Sequence, residues 1–249
     1  MVRMENIVKS YGAQTVLTGV TFEAGGREIF GLLGSNGCGK TTTIRALLGL
    51  IRPTGGELLV GGEKFSPDGK TKVGYLPEER GLYRKETVID IMVYFGKMRG
   101  LKNPRAWSID YLKRVGLDDK VKEKMEKLSS GQQQKAQLGI TMMGSPDLLI
   151  LDEPTKGFDP VNRRLLMDII GELHQKGTAV LMITHYMDEV ERLCDRILLM
   201  KNGTAKAYGT IAEIKKEFGG KSLDEIFVSV YKNEKADYFN PFRKKRGKK

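Results

Sequence analysis

The chain has 249 residues, 40% of them hydrophobic and 29% charged, with two cysteines and a formal net charge of +11. That length supports a substantial core in one large domain or two modest ones, and the longest apolar runs, "LLIL" and "AVLMI", fall well short of the roughly 18 residues that cross a bilayer. The opening "MVRMENIVKS" has no apolar signal-peptide region, and Cys38 and Cys194 have no metal-type spacing, so a reducing, cytoplasmic setting is predicted.

The first sixty residues read as β structure. "RMENIVKSY" and "VTFEAGG" show mixed alternation, and "REIFGLLG" is a short buried-strand candidate. "KTTTIRALLGL" follows, with Ile44, Leu47 and Leu48 on one helical face. "PTGGELLVGGE" and "KVGYLP" return to strand. The character then changes. "ETVIDIMVYFGKMRG", "PRAWSIDYLKRVG", "LDDKVKEKMEKL" and "SGQQQKAQLGITMMG" all suit helices, with Pro104 at a first turn. They predict a helical insertion over about 79–143.

"DLLILDEP" is an apolar strand that ends in acids. "VNRRLLMDIIGELHQKG" is an amphipathic helix with Leu165, Leu166, Ile169, Ile170 and Leu173 inward and Gly177 as its stop. "TAVLMITH" is a buried strand, "YMDEVERLC" a helix, and "DRILLMKNGTAKAYG" a hairpin turning at Asn202 and Gly203. Strand–helix alternation with continuous apolar strands predicts an α/β fold around a mainly parallel sheet covered on both faces. The end of the chain differs. Residues 232–249 hold eight Lys and Arg against two acids, so +6 of the +11 lies there. Two readings suit this tail: a solvated, disordered end, or a segment attracted to anionic lipid.

The chemistry concentrates at strand ends. Gly34-Ser35-Asn36-Gly37-Cys38-Gly39-Lys40-Thr41 fits G-x4-G-K-[ST], with a predicted strand before it and a helix after it. The glycines let backbone N–H groups converge on a phosphate, and the helix adds its positive end. Lys40 suits terminal phosphate oxygens, and the Thr41 hydroxyl suits Mg²⁺. Asp152 ends an apolar strand, expected next to the strand that delivers the loop, and is the expected metal-side carboxylate; Glu153 is the expected base or orienter of an attacking water. His185 follows another buried strand on the same side and suits a hydrogen bond to a γ-phosphate. His174 is assigned no chemistry. A guanine reader would need [NT]-K-x-D; "TKGFD" places its Asp one residue late, which disfavours GTP.

The order Tyr11-Gly12, "GSNGCGKTT", "LSSGQQQK", "LLILDEP", "GFD" and "TH" resembles an ATP-binding-cassette (ABC) ATPase from residue 2 to about 231. "GYLPEERGLY" and "SLDEIFVSVY" resemble the ATP-binding subunits of ABC-2-type exporters. The resemblance implies a P-loop core with an N-terminal antiparallel β subdomain (core and β subdomain about 1–78 and 144–215), the inserted helical subdomain (79–143), and ATP with Mg²⁺ as ligands. It implies two cassettes packed head to tail, as a homodimer or heterodimer. Ser129, Ser130, Gly131 and Gln132 of one would meet ATP held by Gly34–Thr42, Thr42 included, of the other. A helix cap is an equally compatible role for Ser129. Tyr11 resembles the aromatic that stacks on adenine, Asp159 the aspartate at the dimer seam, His185 the switch histidine and Glu153 the catalytic glutamate.

The departures matter. A metal-side glutamine of the family is here Glu78, or Glu79 in a shifted alignment. Ser130 and Phe158 stand where glycine and leucine are usual, and Ser35 and Cys38 replace frequent Pro and Ala. A cysteine in the loop predicts inactivation by a thiol reagent and protection by ATP. The function implied is the ATP-hydrolysing subunit of an exporter, peripheral on the inner face of the cell membrane, driving a separate transmembrane permease. The alternative is a soluble cassette ATPase acting on nucleic acid or ribosomes, which the basic tail motivates. The lack of coiled-coil, zinc or paired-cassette insertions disfavours it.

Overall fold

The computed structural model of the chain describes residues 2–64, 70–79 and 83–235, with side chains to Lys232. Near the N-terminus, β1 (Val2–Tyr11), β2 (Gln14–Ala24) and β4 (Gly55–Val60) form an antiparallel sheet in the order β2-β1-β4. A second sheet takes the order β5-β6-β7-β3-β8-β9. Its strands are β3 (Ile29–Leu33), β5 (Val73–Leu76), β6 (Leu148–Asp152), β7 (Ala179–Ile183), β8 (Arg196–Lys201) and β9 (Thr204–Thr210). All neighbours are parallel except β9 on β8. Every residue of β3, β6 and β7 is buried. That is why they read as unbroken apolar runs: both faces of a parallel sheet are covered. Asn202 and Gly203, which join β8 to β9, both have positive φ, as a two-residue hairpin requires.

The two sheets enclose one core, in which Met4, Leu17, Val20 and Phe22 face Phe30, Leu32, Leu181 and Leu198. The Phe22 and Phe30 rings stack at 5.2 Å. Helix α1 (Lys40–Leu47) closes it with Ile44 and Leu47. The other face of the parallel sheet packs against α2 (Val88–Met98), α3 (Pro104–Arg114), α4 (Ser130–Met142), α5 (Pro160–Gln175) and α6 (Met187–Leu193).

Three features differ from expectation. The "LDDKVKEKMEKL" stretch forms two single 3₁₀ turns, Asp118–Lys120 and Met125–Lys127, instead of a helix. Helix α2 supplies the reason. Its opening amides need acceptors, and Val88 and Ile89 donate to the carbonyls of Glu123 and Val121 at 2.9 and 3.1 Å. A continuous helix would have used those carbonyls itself. Secondly, α7 (Ile211–Glu217) and α8 (Leu223–Lys235) follow the last expected strand. Helix α8 buries Leu223, Ile226 and Tyr231 and runs past residue 231, where the tail was expected to begin. The rest of that basic tail lies outside the described residues. Thirdly, β6 is not beside β3, because β7 lies between them.

Close packing within the helical insertion gives a direct check. A Cβ added to Gly139 in α4 would lie 2.3 Å from the buried Tyr111 ring. The Tyr111 hydroxyl is in turn held by the Lys135 carbonyl at 2.8 Å. Gly139→Ala is expected to lower stability by about 1–3 kcal/mol through overpacking, although alanine gains about 1 kcal/mol of helix propensity. Chemical denaturation reads this. An unshifted or raised midpoint would mean that the ring moves aside freely.

Candidate active site

The phosphate loop leaves β3 at the sheet's carboxyl edge and enters α1 at Lys40. Gly34, Gly37 and Gly39 all have φ between +81 and +156. At Gly39 this left-handed turn caps α1 with no side-chain hydrogen bond, so the first helical amides are not engaged by a side chain. The Lys40 ammonium donates to the carbonyls of Gly34 at 2.6 Å and Ser35 at 3.0 Å. The loop from Asn36 to Thr42 walls a cleft of about 530 Å³, together with Val16, Glu78, Glu153, Lys156 and His185.

The register of the sheet sets this convergence. Asp152 of β6 pairs with Ile183 of β7, and Ile183 with Leu32 of β3. Strands β6 and β7 therefore end at one level, and β3 ends one residue beyond it. Glu153 does so at φ 51, a conformation unfavourable for a residue with a Cβ. Its N–H donates to the Ile183 carbonyl at 2.8 Å, and its Oε2 lies 2.9 Å from His185 Nδ1. The His185 ring packs on Tyr186 at 4.2 Å, and the Arg163 guanidinium covers Tyr186 at 4.1 Å.

Asp152 is only 7% exposed. Burial first, then the charges of Glu78 and Glu153, push its pKa up to about 6, against the pull of Lys40 and Lys156. Glu78 does not stand uncompensated, because its Oε1 is 2.5 Å from Lys156 Nζ. The pair is about half-exposed, so its contribution to stability is modest.

Several expected residues stand apart from this cleft. Tyr11 is 46% exposed at the end of β1, with Lys9 over its ring at 4.8 Å; Val16 lines the cleft and Tyr11 does not. Ser129 caps α4 in a reciprocal box: Gln132 N–H donates to Ser129 Oγ at 3.3 Å, and Ser129 N–H to Gln132 Oε1 at 2.9 Å. Ser130 is exposed, and Gly131 lies against the Phe158 ring. Asp159 caps α5, accepting from Val161 and Asn162 N–H at 2.9 Å. None of Ser129–Gln132 or Asp159 lines the cleft.

Cys38 requires a correction. It is 2% exposed and belongs to the core between the sheets, so its thiol is not presented to reagents in the folded loop. Its N–H already donates to the Ser35 carbonyl at 3.3 Å. The apolar face of the loop turns inward, so a small residue there packs.

Sequence reasoning overlooked Lys156 and Glu189. The Glu189 carboxylate is 3% exposed, yet it accepts from Thr155 Oγ1, Arg163 Nε and Thr184 Oγ1. It ties the turn after Glu153 to the residue before His185. The only signal was an acid in the amphipathic run "YMDEVERLC".

Comparison with known proteins bears on the family and the fold. A family profile described as ABC transporter matches residues 17–156. The chain is 46% identical over 215 residues to an uncharacterized ABC transporter ATP-binding protein of Methanocaldococcus jannaschii, covering 86% of this chain and 79% of the relative. It is 34% identical over 231 residues to Nod factor export ATP-binding protein I of Paraburkholderia xenovorans, covering 91% and 76%. A solved structure of an ATP-binding subunit of an ABC transporter superposes with a TM-score of 0.83 at 32% identity, covering 92% of this chain and 99% of that one.

The raised Asp152 pKa yields a stability test on the nucleotide-free protein. The folded state holds this proton up to about pH 6, whereas an unfolded aspartate releases it near pH 3.9. Stability is therefore lost as pH rises through that window. Asp152→Asn removes the penalty and is expected to stabilise the protein by about 1–3 kcal/mol above pH 6, shrinking toward pH 4. A gain independent of pH would show that ionisation is not its source.

Proposed function

The chain belongs to the ABC transporter family as an ATP-binding subunit that hydrolyses ATP, and from that premise we propose how its residues divide the work. Lys40 and those amides of the Gly34–Thr42 loop that no acceptor within the protein takes hold the triphosphate. Glu153 orients and deprotonates the attacking water. His185, 2.9 Å from Glu153, fixes that carboxylate and reaches the terminal phosphate. The left-handed backbone at Glu153 limits where its side chain can go; conformations of this kind cost about 1–3 kcal/mol and persist where surrounding structure holds them.

The donor set fits Mg²⁺. The Thr41 hydroxyl, Asp152 and Glu78 offer oxygen only, and a carboxylate whose pKa is raised by burial and then by neighbouring acids favours a cation nearby. Among the described residues no three His, Cys, Asp or Glu side chains form a cluster that could hold a metal, in keeping with an ion held partly by phosphate and water. When bound, the ion neutralises charge that develops on the phosphates. Lys156 draws Glu78 to itself and moderates the extra negative charge at this position.

ATP is split between two cassettes packed head to tail. Ser129, Ser130, Gly131 and Gln132 of one meet the phosphates held by the other, Asp159 lines the seam, and Tyr11 stacks on adenine. The observation that carries this is the separation within one chain: the cleft holds the loop, Glu153 and His185, while the exposed Ser129–Ser130 turn faces elsewhere. A capping serine can keep its helix bond in an open dimer and turn to phosphate when the dimer closes.

A separate membrane subunit supplies the permeation path, as membership of the ABC transporter family implies; no described helix is long and apolar enough to cross a membrane. It rests on the helical insertion, where the exposed Tyr83 and Tyr94 border a cleft with Glu86 and Asp90. The chain then lies peripherally on the inner membrane face. Export is favoured by the relative whose name includes Nod factor export. Glu153→Gln keeps the shape of the side chain but removes its basicity. It is expected to reduce phosphate release at least a hundredfold and to accumulate an ATP-bound dimer with Mg²⁺, read by light scattering. A variant that stays monomeric under those conditions excludes the two-cassette arrangement.

A further inference from the structure

One contact of the phosphate loop comes from the far end of the chain. The Ser35 N–H donates to the phenolic oxygen of Tyr231 in α8 at 3.0 Å. The same phenol donates to the Met200 carbonyl in β8. One hydroxyl proton and one lone pair are thus both used. Tyr231 is 8% exposed, and burial raises its pKa, so the proton needed for the Met200 bond stays in place. The helix is anchored independently of the loop. Leu223 and Ile226 are in the core, Lys201 Nζ donates to the Val230 carbonyl at 2.7 Å, and Phe227 packs on the Tyr231 ring at 4.7 Å.

The bonded N–H belongs to the Gly34–Ser35 peptide. On the other side of that plane, the Gly34 carbonyl accepts from Lys40 Nζ at 2.6 Å. A peptide group is rigid and planar, so fixing its N–H fixes the direction of its carbonyl. Gly34 on its own leaves the plane free to rotate. Its surroundings are close: an added Cβ would lie 2.9 Å from the Met200 carbonyl and 3.2 Å from the Tyr231 oxygen. A cleft of about 450 Å³ also joins the two parts, with Ser35, Lys40, Glu153 and His185 on one wall and Phe227 and Tyr231 on the other.

We infer that Tyr231 is a positioning residue for ATP binding: through the Gly34–Ser35 peptide it sets the resting place of the Lys40 ammonium. Helix α8 is thereby part of the nucleotide site rather than an appendage to it. This rests on the assignment of ATP to the Gly34–Thr42 loop.

The test uses the full chain and three variants that share this bond, of which Tyr231→Phe also removes the Met200 bond. Tyr231→Phe removes the acceptor. Ser35→Pro removes the donor, because proline has no N–H, and Gly34 carries no Cβ to obstruct the ring that follows it. Each is expected to raise the KM for ATP about three- to tenfold, the range of a single net hydrogen bond, with kcat changed less than about twofold. The double variant is expected to match the more severe single one, since both remove the same contact. Ser35→Pro leaves the Met200 bond intact, so it reads the loop side even if Tyr231→Phe folds poorly. An unchanged KM in Ser35→Pro, or penalties that multiply in the double variant, would overturn the inference. Lys40→Ala keeps the two levels apart: if it binds ATP as tightly as the unaltered chain, the nucleotide assignment itself fails, and the inference with it.

Discussion

The hydrogen-bonded register of three buried parallel strands is the constraint on which the rest depends. Leu32, Ile183 and Asp152 lie level across β3, β7 and β6. Strands β6 and β7 end there and β3 one residue later, and each delivers a different part of the cleft edge: the glycine-rich loop, the residue that leads to His185, and the carboxylates. None of the three loops is held by length or composition alone. Apolar burial on both faces of the sheet fixes the strands, and the strands fix the loops. A slip of one residue would turn every side chain of a strand to the opposite face. The close packing of Phe30, Leu32, Leu181 and Ile183 excludes that slip.

Charge is the second constraint. Glu153 and Glu78 line a small cleft with Lys40 and Lys156, and the buried Asp152 feels those charges and carries much of the cost of burial. The Lys156–Glu78 pair keeps one cleft carboxylate from standing alone. Behind the cleft, the buried Glu189 bonds Thr155, Thr184 and Arg163. Its three donors belong to the turns that carry Glu153 and His185 and to α5, so those turns share one anchor. The catalytic edge is thus supported by polar bonds where the sheet ends and apolar packing stops.

Some of this was legible early, for identifiable reasons. Gly34–Thr41 could be found because a phosphate cradle needs glycines, a lysine and a hydroxyl at fixed spacing. Asp152 and Glu153 could be found because acids at the end of "LLIL" break an apolar run sharply. The region after Gly116 misled, because helical composition does not reveal that α2 takes its carbonyls. Cys38 misled in the opposite direction: membership of the loop said nothing about which face its thiol would take. Lys156 and Tyr231 gave no sign of their partners, and Glu189 showed only as an acid in an amphipathic run, since each acts through partners outside its own element.

By itself, the sequence determined the α/β class, the run of buried strands and the local chemistry of the loop. Spacing and periodicity are short-range properties, and they are written in consecutive residues. Only the tertiary structure decided that β7 separates β6 from β3, that Glu78 meets Lys156, and that α8 returns to hold Ser35. The last two contacts join residues 78 and 196 positions apart, and they exist only once the sheet has brought its carboxyl edge together.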